Sequence, residues 1–396
     1  MPPFASHWTL DPDVVFLNHG SFGACPTPVL QAQAELRSRL EREPVDFMAR
    51  EWEGRMDEAR AALARFVGAD ADAIAFVTNA TMGVNTVLRS LRFSPGDEIL
   101  VVDQGYNACH NAARFVADRT GAAVVTAHVP FPLADPGEVT RAILDRASER
   151  TRIALVDHVT SATGLVLPIE AVVRGLDARG VDTLVDGAHA PGMMPLALDA
   201  LGAAYYTGNC HKWMCTPKGS GFLYVRPDRQ DRVHPLVISH GRNAPRQDRS
   251  RFRLQFDFTG TQDPTAWLVI PEAIRFMGSL LPGGWEELRE RNHALAMRGR
   301  SLLCDALGID APAPEGMIGS LATVPLPPAG DATDAPPLSI DPIMATLYDR
   351  HRIEVLASVW PESPGRILRV SAQVYNEESH YARLAGALRE LLTAGA

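Results

Sequence analysis

Of the 38 basic residues in this chain only two are lysines, Lys212 and Lys218, and both lie in the decapeptide that runs from Cys210 to Gly219. Arginine supplies the positive charge everywhere else. A primary amine can do what a guanidinium cannot: once desolvated it loses its proton and attacks a carbonyl carbon. Lys212 is therefore the candidate for Schiff-base chemistry. Cys210, His211 and Cys215 are zinc-ligand types. Adjacent side chains diverge, however, and no second Cys-x-x-Cys or His-x-x-x-His pair occurs, so no metal is expected.

Three short segments follow apolar runs, where open α/β sheets collect their ligands. Past the run 74–78 comes Asn79-Ala80-Thr81-Met82-Gly83, which opens a helix; Thr81 there either caps the helix or, with the free N–H groups, holds a phosphate. The run 183–186 ends in Asp186-Gly187-Ala188-His189. Asp186 is either a turn residue or the partner of a protonated heterocyclic nitrogen, and His189 either donates to a phenolate oxygen or sits satisfied in the core. The third segment, Thr207 to Lys212, puts Asn209 and His211 within reach of phosphate oxygens on the turn that carries the lysine.

The elements that must position these groups alternate. Short β-rich runs at 74–78, 98–102, 123–126, 153–156, 183–186, 204–207 and 221–225 are separated by helical stretches at 28–43, 51–68, 81–91, 108–119, 137–148 and 169–179. This pattern predicts a mostly parallel sheet flanked by helices. A long helix over 284–306 and the Pro-rich intervals 311–314 and 325–328 then predict a smaller α+β unit, with the boundary near residue 275. The organisation expected is an N-terminal segment 1–25 that contributes to the site, a large domain 26–275 and a small domain 276–396.

With 396 residues, 46% hydrophobic and 21% charged, the chain has the composition of a soluble globular protein, and no apolar run approaches a membrane span. Its net charge of −9 argues against a nucleic-acid partner. The N-terminus lacks the basic start and apolar core of a secretion signal, and five scattered cysteines form no disulfide framework, so a cytoplasmic location is expected. Arg246, Arg249, Arg251 and Arg253 crowd one stretch, either as a solvated loop or subunit rim or as a contact for an anionic substrate.

The ordered set Asn79-Ala80-Thr81, Asp186-Gly187-Ala188-His189 and His211-Lys212-Trp213 resembles the class V aminotransferase superfamily, enzymes of pyridoxal phosphate (PLP) fold type I. The resemblance extends to the isopenicillin N epimerase-like proteins through Asn18-His19-Gly20, Glu43-Pro44-Val45-Asp46-Phe47, Ser161-Ala162-Thr163-Gly164, Pro217-Lys218-Gly219 and Arg369-Val370-Ser371. It implies a seven-stranded, mostly parallel sheet, PLP joined to Lys212, and Asp186 facing the pyridine nitrogen. Tyr106 would stack on the ring. Asn79, Ala80, Thr81, Asn209 and His211 would form the phosphate cup, and Ser161 and His189 would face the phenolic oxygen. Thr261 would reach the phosphate of a neighbouring subunit, making a homodimer with shared sites. Arg369, with Asn18, His19 and Gly20, would hold an amino-acid substrate. The implied activity is epimerisation or racemisation at the α-carbon, or else β-elimination by a C–S lyase, transamination, or cofactor binding without turnover. Tyr106 and His19 are the candidates for a second proton carrier. Persulfide transfer is not expected, because no cysteine follows Cys304.

Overall fold

The computed structural model describes residues 4–327, 341–360 and 365–394; Met1 to Pro3 and the end of the second Pro-rich interval, at Pro328, lie outside the described residues. All seven apolar runs are strands: β1 (Ile74–Val77), β2 (Glu98–Val102), β3 (Ala123–Ala127), β4 (Thr151–Asp157), β5 (Asp182–Gly187), β6 (Tyr205–Asn209) and β7 (Gly221–Val225). They form one sheet in the order β1-β7-β6-β5-β4-β2-β3, in which only β7 runs antiparallel to its neighbours. Strands β1, β2, β6 and β7 are buried along their whole length. That is why they read as continuous apolar runs rather than alternating ones.

Register decides which side chains meet at the carboxyl edge. Asp186 on β5 lies opposite Asp157 on β4 and Thr207 on β6. The helix Ala80–Ser90 comes close to β6 through Gly83, where a Cβ would stand 2.0 Å from Thr207 Oγ1. Glycine at that position lets the helix N-terminus sit beside the strand that leads to Lys212.

The long helix Gly284–Leu307 packs on a second, antiparallel sheet of β8 (Leu321–Leu326), β9 (Leu356–Val359) and β10 (Arg366–Ser371), with β10 in the middle. The helix Glu378–Ala394 packs along that long helix. Residue 275 falls inside the helix Ile270–Gly278, which packs on the helices Thr27–Arg42 and Trp52–Val67 of the first unit. The N-terminal segment joins the second unit: Val15–Phe16 pairs in parallel with Ile353–Glu354, and the Leu17 carbonyl accepts the Ser371 N–H. The chain then turns through the short helix His19–Phe22 towards β10.

The arginine-rich stretch is structural. Arg249 forks onto Asp57 at 2.8 and 2.7 Å, Arg253 binds Asp57, Asp72 and Asp257, and Arg246 binds Glu53 and Asp248. Arg251 caps the carbonyls of Gly241 and Ala244. Together they pin the segment 240–257 to the helix Trp52–Val67. At the centre the buried Arg60 pairs with the buried Asp257. Removing one partner of a buried ion pair leaves the other charge uncompensated. Asp257→Ala is therefore expected to lower unfolding stability by about 3 kcal/mol, read as a shift in denaturant midpoint at unchanged slope. A change within about 0.5 kcal/mol, ordinary for a surface site, would contradict that role.

Candidate active site

Lys212 is carried by the turn after β6, and the chain around it is clamped from several sides. A Cβ on Gly23 would stand 2.1 Å from the His211 carbonyl oxygen, and one on Gly192 would stand 2.5 Å from the Trp213 carbonyl carbon. Both glycines have positive φ, 70° and 90°, which other residues adopt only with strain. The Lys212 carbonyl accepts from His19 Nε2 at 3.0 Å, and Lys218 Nζ donates to the Gly23 carbonyl at 2.8 Å. The second lysine thus braces the first.

The Lys212 amine lies 3.0 Å from His189 Nε2, and among the described residues no carboxylate is in salt-bridge contact with it. Burial, reinforced by the nearby Arg369 charge and opposed by Asp186, lowers its pKa to about 7. Burial drives the His189 imidazole well below its ordinary range, so the ring is neutral.

Asp186 is 3% exposed. One of its oxygens accepts from the Cys109 thiol at 3.1 Å and the other from the Ala188 N–H at 3.0 Å. Burial raises its pKa, and it raises Asp157 further because Asp186 lies beside it. A buried carboxylate without a cation in hydrogen-bond contact suits a protonated ring nitrogen.

At the N-terminus of the helix Ala80–Ser90 the side chains divide the work. Asn79 Oδ1 caps the helix by accepting the Met82 N–H at 2.9 Å, and Asn209 Oδ1 accepts the Ala80 N–H at 2.8 Å. Both amides act through the helix end. The Thr81 N–H, on the first turn of the same helix, remains as a donor, while its side chain hydrogen-bonds to Cys109; the His211 Nδ1–H is spent on the Ser220 carbonyl at 2.9 Å. Burial lowers the His211 pKa to about 4.

Arg369, on β10, is 2% exposed and has no carboxylate partner among the described residues. Its guanidinium donates to the Ser161 carbonyl and to Ser21 Oγ at 3.1 Å, its Nε has no partner, and burial lowers its pKa to about 10. Asn18 Oδ1 accepts from Ser21 at 2.6 Å, and its amide donates to Glu354 at 3.2 Å, so Asn18 orients the arginine. A Cβ on Gly20 would come within 3.5 Å of the guanidinium. Ser161 meets the group through its carbonyl.

His19 departs from the sequence expectation. It is fully buried, its Nε2–H is spent on the Lys212 carbonyl, and its Nδ1 accepts from Tyr375 Oη at 2.6 Å. Burial lowers its pKa to about 4. It therefore positions the lysine turn and has no nitrogen free for substrate or for a moving proton. Tyr106 stands at the start of the helix Asn107–Thr120 and is 42% exposed, whereas Thr261 is exposed and no hydrogen bond ties it to the group around Lys212 among the described residues. The sequence reading missed Trp213, Cys109, Asp157, Ser21 and Tyr375. Trp213 lies within a motif that pointed to the site, and Tyr375 lies four residues beyond another; Cys109 and Asp157 carried no signal.

The family model for class-V aminotransferases matches residues 23–379. The chain belongs to this family. It is 37% identical to the isopenicillin N epimerase of Streptomyces clavuligerus over 96% of each chain. It is 30% identical to a probable chloroplastic L-cysteine desulfhydrase of Arabidopsis thaliana, covering 97% of this chain and 84% of that one. Among solved structures, a mutant of C-DES with glycine covalently linked to its PLP cofactor has a TM-score of 0.80 at 22% identity, over 98% of this chain and 99% of that one. The last likeness concerns the fold.

A lysine whose pKa lies at about 7 is neutral above that value and protonated below it. The rate at which the apoprotein forms an imine with pyridoxal phosphate is therefore expected to rise as pH passes through about 7 and to level off above it, measured by rapid-mixing absorbance. A rate still climbing tenfold per unit at pH 9, as for an ordinary lysine, would contradict the site's electrostatics.

Proposed function

We propose that this chain is a PLP-dependent enzyme that moves the proton on the α-carbon of an amino acid, in the manner of an epimerase. The observation that carries the reading is that a neutral amine and an unpaired buried guanidinium belong to one connected group, joined through Ser21, Asn18 and the His19 turn. Bound PLP supplies an electron sink that acidifies the Cα–H bond. With PLP and substrate bound, the Lys212 amine, whose pKa burial lowers to about 7, would serve as the base that takes the proton. Arg369 holds the α-carboxylate with its planar fork. Asp186 would keep the ring nitrogen charged, and Thr81 and His211 would hold the phosphate. His189 would donate to the phenolic oxygen, and Tyr106 would cover the ring.

One observation favours the second reading, a β-eliminating C–S lyase. Epimerisation needs a proton carrier on each face, and the engagement of both His19 nitrogens leaves Tyr106 as the remaining candidate from the sequence. Elimination needs no second carrier once Cβ bears a leaving group. Persulfide transfer finds no support, since Cys304 is buried in the helix Gly284–Leu307 with its thiol pKa raised by burial.

A homodimer belongs to the same proposal. Phe22, Val237 and Ile238 are 75%, 57% and 58% exposed, and Thr261 is exposed too; a second copy would cover such side chains. The enzyme would work in the cytoplasm.

Incubating candidate amino acids in deuterated water is expected to give Cα–H exchange with inversion and no keto acid. Pyruvate and ammonia released from cysteine conjugates would establish the lyase instead. Arg369→Ala is expected to raise KM about 100-fold, because two charge-assisted hydrogen bonds to the carboxylate are lost. Arg369→Lys is expected to recover only a small part of this, since an ammonium lacks the fork. An unchanged KM in both variants would remove Arg369 from the substrate site.

A further inference from the structure

We propose that Trp213 is a positioning residue that fixes the ring proton of His189 on Nε2, so that this histidine presents a donor, and never a base, towards Lys212. The indole Nε1–H can only donate, and it lies 3.4 Å from His189 Nδ1. Nδ1 must therefore accept, and the one proton of the neutral ring resides on Nε2, the nitrogen 3.0 Å from Lys212 Nζ. The opposite assignment would set two N–H groups head to head in a buried site.

The indole has little freedom to yield. Trp213 is 1% exposed, the His19 ring packs on it at 4.9 Å between centroids, and Gly192 closes on its main chain. The turn thus delivers the Lys212 amine and, one residue later, the group that sets the tautomer of the amine's neighbour. With its Nε2 lone pair tied up by a proton, His189 cannot accept the α-proton. Its N–H suits an anionic oxygen beside the imine carbon. That last role rests on the PLP reading, whereas the tautomer does not.

The test has two arms. Nitrogen-15 spectra of histidine-labelled apoprotein, with His189 assigned by comparison with His189→Gln, are expected to show the Nε2–H tautomer in the wild type and a mixture, or the Nδ1–H form, in Trp213→Phe. An Nδ1–H wild type overturns the proposal even if Trp213→Phe fails to fold. In the loaded protein, Trp213→Phe is expected to move the pH midpoint of the visible band by about one unit, the scale of one hydrogen bond. Made in the His189→Gln background, where the amide carries its own N–H, the same change is expected to add nothing. An equal shift in both backgrounds would mean that Trp213 acts through packing alone, against the proposal. A protein that takes up no cofactor would sink the PLP reading while leaving the spectral arm to judge the tautomer.

Discussion

The constraint on which this structure depends is the desolvation of one half-buried amine. Of the chain's two lysines, Lys212 is the one whose amine is desolvated, and among the described residues no contacting carboxylate replaces the lost solvation of its charged form. Desolvation thus brings the titration of this amine down to about pH 7, where a substantial share is neutral. Much of the surrounding architecture exists to hold that unfavourable placement. Two glycines at positive φ let main chains close on the lysine turn, His19 grips its carbonyl, and Lys218 ties Gly23 in place.

The charges around the amine follow a pattern. Among the described residues Arg369 is a buried cation lacking an anion, and Asp186 is a buried carboxylate lacking a contacting cation. Each would be costly in a finished core. They stand on different sheets, Arg369 on β10 and Asp186 on β5. A ligand with a carboxylate at one end and a protonated ring nitrogen at the other would meet both needs.

The sequence carried the large sheet almost completely, because β1, β2, β6 and β7 are buried along their length and no surface face diluted their apolar runs. It carried Lys212 through composition alone. Asp186 was legible as a strand-end carboxylate with two readings, between which the resemblance chose, and Arg369 came from the resemblance alone; the partners of both lie on other elements. What stayed hidden are contacts made by topology: Trp213 meets His189 because β5 and β6 are neighbours, and His19 meets Tyr375 across 356 positions of chain. A histidine in a motif beside the site reads as chemistry until its two nitrogens are seen to be taken. The arginine-rich stretch misleads in the same way, since its carboxylate partners Glu53, Asp57 and Asp72 lie far upstream.

The central claim is that Lys212, and not its neighbour six residues on, is the amine that carries the cofactor. Its most direct test is peptide mapping of the protein after incubation with pyridoxal phosphate and reduction with borohydride. The account requires a single pyridoxyl group on the peptide containing Lys212, at its Nζ. Label found on Lys218, or on neither lysine, would contradict it.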